Sequence, residues 1–257
     1  WLGLVGSEMC IRDRCKLFLL STTNLVLFDY NRDNLKPLSY TKPIASLRIG
    51  ISSIKEKWEL ALNLRASHYT APYLKSKYPL ILQESNLLLN ASVLPNATLN
   101  QYLLDQLPFN SLLVYSGWPV ALKCDASTAL QFFEGKAASL STIECSFPVV
   151  YIAYCWDLFK NNKEAIAFDF EEQTKGRTSA PLSTSNSIIG DASQIFLEKG
   201  AIAHCSIFNT QNGPIYLGKN TTVMEGCMIR GSLALCEGAS LKMGTKIYGP
   251  TTVGPFS

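Results

Sequence analysis

The chain has 257 residues, 47% of them apolar and 17% charged, with a formal net charge of +3. That length holds one large or two modest domains, and the composition is that of a folded globular chain. So small a positive charge, with no Lys/Arg run, excludes a nucleic-acid binder, and no apolar run reaches the ~18–20 residues that span a bilayer. The eight cysteines form no CxxC pair and have no metal-like spacing with the two histidines. They read as reduced thiols of a cytoplasmic protein.

In chain order, residues 1–23 stand apart as a non-native or disordered leader. They contain GSEMCIRDR, which looks like a translated sequencing adapter. Glu8, Arg12, Asp13 and Arg14 interrupt the stretch where a signal peptide needs an unbroken apolar core. An α/β domain is expected over 24–173. Residues 25–28 form a short apolar strand that ends at Asp29. A polar loop follows, and Ser46 is expected to cap a helix over about 47–62 with Ile51, Ile54, Trp58 and Leu62 on one face. Further strands are expected at 66–69, 87–89, 112–115 and 120–123, and further helices at 72–78, 98–107 and within 157–170. This alternation argues for an α/β sheet. Residues 174–187, rich in Ser and Thr, read as a linker.

The stretch 188–257 is organised differently. Leu217, Val223, Ile229, Leu235, Leu241, Ile247 and Val253 fall six residues apart without a slip. Neither a helix nor a period-2 strand explains a period of six. A parallel β-helix does: each hexad supplies one short strand and one turn, and stacked coils bury an apolar column. Ile189, Ile195, Ala201 and Ile207 have the same spacing but another phase, so an inserted loop is expected around 208–214. The run amounts to about three coils of ~18 residues and stops in mid-repeat, which reads as an incomplete β-helix. His204, in the first coil, reads as outward facing and not as a general base.

An α/β sheet binds ligands at the carboxyl ends of its strands, which directs attention to the loop over 29–43. Arg32, Lys36 and Lys42 lie there, with Arg48 just beyond. Cations converging on a helix N-terminus suit a phosphate group; a basic loop that is merely solvated is the other reading. Asp29 suits either a metal or ribose ligand or a loop cap. Asn90, with Ser92 close behind it, suits either a sugar or base contact or the start of a turn.

The segments LFDYNRDNLKPLSYTKPIASLRIGISSIKEKWE, LLLNASVLPN, WDLF, NGPIYLG, VMEGCMIRG and KMGTKIYGPTTVGP resemble a divergent branch of a bacterial family. It is that of the N-acetylglucosamine-1-phosphate uridyltransferase/glucosamine-1-phosphate acetyltransferases, and the resemblance covers residues 24–257. It implies a Rossmann-like nucleotidyltransferase domain followed by a left-handed parallel β-helix of hexapeptide repeats. The implied reaction joins a nucleoside triphosphate to a sugar 1-phosphate and releases pyrophosphate, with Mg²⁺ and cations stabilising the phosphates. Arg32 matches the Arg of the family's L-x-x-G-x-G-T-R-M loop, and Lys42 the Lys of the Pro-Lys that follows it. These two are the implied catalytic residues; Asp29, Arg48, Asn90 and Ser92 remain the candidate substrate ligands from the reading of the residues themselves. The β-helix is implied to form a homotrimer and, in acetyltransferases, to bind acetyl-CoA. Two departures keep a second reading open. Phe28-Asp29-Tyr30-Asn31 replaces the glycine-rich turn, and Asn90-Ala91-Ser92 replaces the Gly-Asp whose Asp holds Mg²⁺. Asp29 would then have to supply the metal's carboxylate. On that second reading the chain is a degenerate nucleotide-sugar binder or trimeric scaffold, or keeps acyl transfer alone.

Overall fold

The computed structural model describes residues 23–136 and 140–257; the expected leader, but for Thr23, lies outside the described residues. In chain order come β1 (Asn24–Phe28), β2 (Arg48–Ile49), β3 (Ser52–Ser53), α1 (Ile54–Leu62), β4 (Ala66–Tyr69), β5 (Asn86–Asn90) and α2 (Ala97–Asp105). Then follow β6 (Ser111–Tyr115), β7 (Trp118–Cys124), α3 (Ala126–Phe133), β8 (Ser141–Glu144), α4 (Cys155–Lys160) and α5 (Asn162–Thr174). The remainder is a series of short strands: β9 (Ser187–Ile189), β10 (Ile195–Leu197), β11 (Ile202–Ala203), β12 (Ile207–Asn209), β13 (Ile215–Leu217) and β14 (Thr222–Val223). The series ends with β15 (Met228–Arg230), β16 (Leu233–Leu235), β17 (Ser240–Leu241), β18 (Lys246–Ile247) and β19 (Thr251–Val253). Two compact units share these elements. Among the described residues, one comprises Thr23–Tyr30 with Trp58–Val150, the other Asn31–Lys57 with Tyr151–Ser257.

The first unit is built on a six-stranded mixed sheet of order β4-β1-β5-β7-β6-β8. Strand β1 pairs in parallel with both β4 and β5, while β7 runs antiparallel to β5 and β6. Central parallel strands are covered on both faces, which is why NLVLF and NLLLN are nearly continuous apolar runs. On one face Val26, Phe28, Leu88 and Leu122 pack with Ala129 of α3. Trp58 is fully buried and its indole donates to Val93 O at 2.9 Å. Helix α2 starts one residue earlier than expected because Asn96 caps it, accepting from Leu99 N at 2.9 Å. The helix expected over 72–78 is a single 3₁₀ turn, Pro72–Leu74.

The helix expected over 47–62 is shorter. Gly50 adopts φ +71°, a left-handed conformation, and turns the chain through the β2–β3 hairpin. Helix α1 therefore begins at Ile54, and its cap is Ser53, not Ser46. Ser53 Oγ accepts from Glu56 N at 3.2 Å while Glu56 Oε2 accepts from Ser53 N at 2.7 Å, a capping box.

Three stacks of parallel strands, β10-β13-β16-β19, β11-β14-β17 and β18-β15-β12-β9, make a parallel β-helix. Leu217, Val223, Ile229, Leu235 and Leu241 are buried in one apolar column, with Ile247 and Val253 packed against it. Leu217 pairs with Leu235, eighteen residues on, as three hexads per coil require. The first coil differs. Leu197 pairs with Leu217, twenty on, and Phe208 with Ile229, twenty-one on. Its inward residues are Ile195, Leu197, Ala203 and Phe208, whereas Ile189 and Ile207 are exposed. The extra length turns at Thr210–Gly213, within the expected insertion.

Candidate functional site

Strand β1 delivers Asp29 to the carboxyl end of the sheet. Its backbone N–H donates to Tyr69 O at 3.0 Å, and its carboxylate accepts from the Thr70 hydroxyl at 2.6 Å. A cavity of about 540 Å³ lies beside it, lined by Asp29, Tyr30, Tyr69, Phe132 and Phe133 among others. The rings are mutually ordered. Tyr69 and Phe133 stack with centroids 3.7 Å apart, and Phe132 meets Phe28 edge-on at 5.5 Å. Tyr30 stands edge-on to Trp118 at 5.7 Å. A wall of this kind accepts a planar or apolar ligand face, and the carboxylate supplies the polar end.

Asn90 and Ser92 have no exposed surface. The Asn90 side chain donates to Pro119 O at 2.8 Å and accepts from Ser92 N at 3.0 Å, and Ala91 N donates to Phe28 O at 2.9 Å. These bonds close the end of β5 onto its neighbours.

The other residues expected from sequence to bind substrate, Arg32, Lys42 and Arg48, belong to the second unit. The Arg32 guanidinium donates to Lys42 O at 3.1 Å and to Ser39 O, while the Ser39 hydroxyl donates back to Arg32 O at 2.9 Å. Arg32 thus closes its own loop, and Lys42 takes part through its carbonyl. Lys36 pairs with Asp33 at 2.7 Å, and that contact holds the Asp33 carboxyl below its usual range. Arg48 donates to Ile51 O and lies 3.5 Å from Glu56; it sits on β2, not at the helix start expected for it.

A model of a family described as sugar nucleotidyl transferase matches residues 25–178. The chain belongs to that family. No curated protein matches it. The matched nucleotidyl transferase region runs from β1 through α5, so it takes in both Asp29 and the Arg32–Lys42 loop.

Among the described residues, no group of three or more His, Cys, Asp or Glu stands together to hold a metal ion. Four of the six described cysteines are buried, and burial with Asp125 alongside pushes the Cys124 thiol up to about 12. None of the described helices is long and apolar enough to cross a membrane. Sequence reasoning passed over Tyr69 and Phe133. Tyr69 was within reach of the rule that singled out Asp29, since both end parallel strands. Phe133 reaches the cavity only through the path of α3.

Proposed function

We propose that this nucleotidyl transferase family member binds a nucleotide or nucleotide-sugar in the cavity beside Asp29, with sugar 1-phosphate nucleotidyl transfer as its reaction. The observation that supports it is the aromatic cavity at the ends of β1 and β4, with Asp29 at its polar end. Family membership supplies the substrate class. A triphosphate that arrives with Mg²⁺ needs only one or two protein carboxylates and keeps several waters on the ion. Asp29 fits that demand as a single ligand. A second reading, binding without transfer, is favoured by one contact set: the Arg32 guanidinium holds Ser39 O and Lys42 O, so aiding a phosphate requires it to exchange those partners.

Calorimetric titration with UTP, dTTP and a UDP-sugar in Mg²⁺ tests the proposal. Binding of at least one is expected, and Tyr69→Ala should weaken it about tenfold, the usual loss when a stacking ring is removed. A folded chain that binds none of the three sinks the proposal. Pyrophosphate release above background, abolished by Arg32→Ala, would exclude the reading without transfer. For the β-helix we propose self-association as a trimer. It is supported by exposed Ile207, Met228 and Tyr248 on the β18-β15-β12-β9 side, and sedimentation equilibrium decides it.

A further inference from the structure

Residues Asn31–Lys57 come before most of the first unit in sequence, yet they belong to the second. Several attachments hold them there. Near the start, the Asn31 side-chain amide donates to Ile152 O at 3.2 Å and Ala153 O at 2.9 Å, and the Cys155 thiol lies 3.3 Å from Lys36 O. Near the end, the β2–β3 hairpin enters a socket. Its floor is the outer side of the β10-β13-β16-β19 sheet, where Phe196, Tyr216 and Ala234 are buried together with Ile51. Its wall is α5, whose Ile166 and Phe170 complete the same cluster.

The backbone of the hairpin tip is matched by the socket. Gly50 N donates to Asn162 Oδ1 at 2.8 Å, and Gly50 O accepts from the Thr252 hydroxyl at 2.9 Å. Asp169 Oδ2 accepts from Ile51 N at 2.8 Å, from Ser52 N at 3.1 Å and from the buried Lys57 ammonium. Ile51 O faces the Cys236 thiol at 3.6 Å. Clearance is small, since a Cβ on Gly50 would stand 2.7 Å from both Ala165 O and Asp169 Oδ2. An isolated two-stranded hairpin is marginal in water, and this one has two residues in each strand. Its conformation is therefore imposed by the socket, and the socket floor is β-helix.

We propose that the β-helix is a positioning scaffold for the cation-bearing loop of the nucleotidyl transferase region. On this view Asn162, Asp169 and Thr252 are positioning residues, and an intact socket keeps the loop that carries Arg32 and Lys42 in the conformation on which nucleotide affinity depends. The functional half of this inference rests on the nucleotide-binding proposal above; the dependence of loop order on the socket does not.

The test uses Gly50→Ala, which cannot seat the tip, and the milder Thr252→Val, both in the whole chain. Hydrogen exchange is followed by mass spectrometry, alongside titration with UTP and a UDP-sugar in Mg²⁺. Peptides covering residues 31–53 are expected to exchange at least about tenfold faster, while those from β13 and β16 keep their protection and nucleotide affinity falls by a similar factor. Unchanged exchange over 31–53 in both variants overturns the scaffold, as does an equal rise throughout the β-helix. A loosened loop with unaltered nucleotide affinity overturns the positioning role. A wild-type chain without nucleotide affinity sinks the binding proposal and the positioning role together, and the exchange pattern still decides the scaffold.

Discussion

Glu198 is 6% exposed, and burial by itself would raise its pKa. Hydrogen bonds from Arg177 at 2.6 Å and Tyr216 at 2.8 Å outweigh burial and leave the carboxyl below the usual glutamate value. A group whose folded pKa is depressed contributes stability above its unfolded value and loses it as pH falls through the folded one. Thermal stability should thus drop as pH is lowered from 4.5, and Glu198→Gln should flatten that part of the profile. A melting series of both proteins against pH reads the difference; identical slopes would remove Glu198 from the account. Residue types in this chain were easier to read than their partners. Arg32 stands out as a loop cation in sequence, but its closure onto Ser39 O and Lys42 O depends on the path of ten residues. Asn90 is a polar strand end in sequence, and only the neighbouring β7 shows that its amide is engaged by Pro119 O.

The hexad column was legible because one residue in six must be apolar to line a β-helix, and nothing else demands that period. Its phase in the first coil was not. Ile207 fits the spacing and Phe208 does not, yet Phe208 is 0% exposed and Ile207 37%. Leu197 and Ala203 each pair twenty residues on but Phe208 pairs twenty-one on, so the register moves by one between Ala203 and Phe208, and a one-residue slip exchanges the faces of a strand. Phe208→Ala should therefore cost about 3–5 kcal/mol by opening a cavity, against under about 1 kcal/mol for Ile207→Ala in the isolated chain. Urea unfolding of the two variants separates the assignments, and the reverse order would restore the simple repeat. The misplaced start of α1 has a comparable cause. The Ser53–Glu56 capping box was present in the sequence, but the apolar spacing of Ile51 and Ile54 pointed further upstream. Ile51 is buried in the socket instead, where the same apolarity serves the hairpin.

At the scale of the whole molecule, the class of each half was legible: strand–helix alternation for the mixed sheet, period six for the β-helix. The division into units was not, because it depends on contacts far apart in sequence. Ile51, Ile166 and Phe170 lie within the family-matched span, whereas their partners Phe196, Tyr216 and Ala234 lie beyond residue 178. A fragment ending at 178 should therefore expose this cluster. Stronger dye binding to apolar surface and a broader urea transition are expected than for the longer chain, and a fragment with a sharp transition and no dye binding would contradict that.

The bond from Thr252 to Gly50 joins residues 202 positions apart. On a ribosome that adds about 5–20 residues per second, the hairpin tip is made on the order of 10–40 s before Thr252. Until α5 is made Ile51 has neither floor nor wall, whereas every strand of the first unit's sheet precedes α5 in synthesis. Synthesis order thus sets a schedule. The mixed sheet can close early, whereas the bond from Thr252 to Gly50 can form only once β19 has been translated.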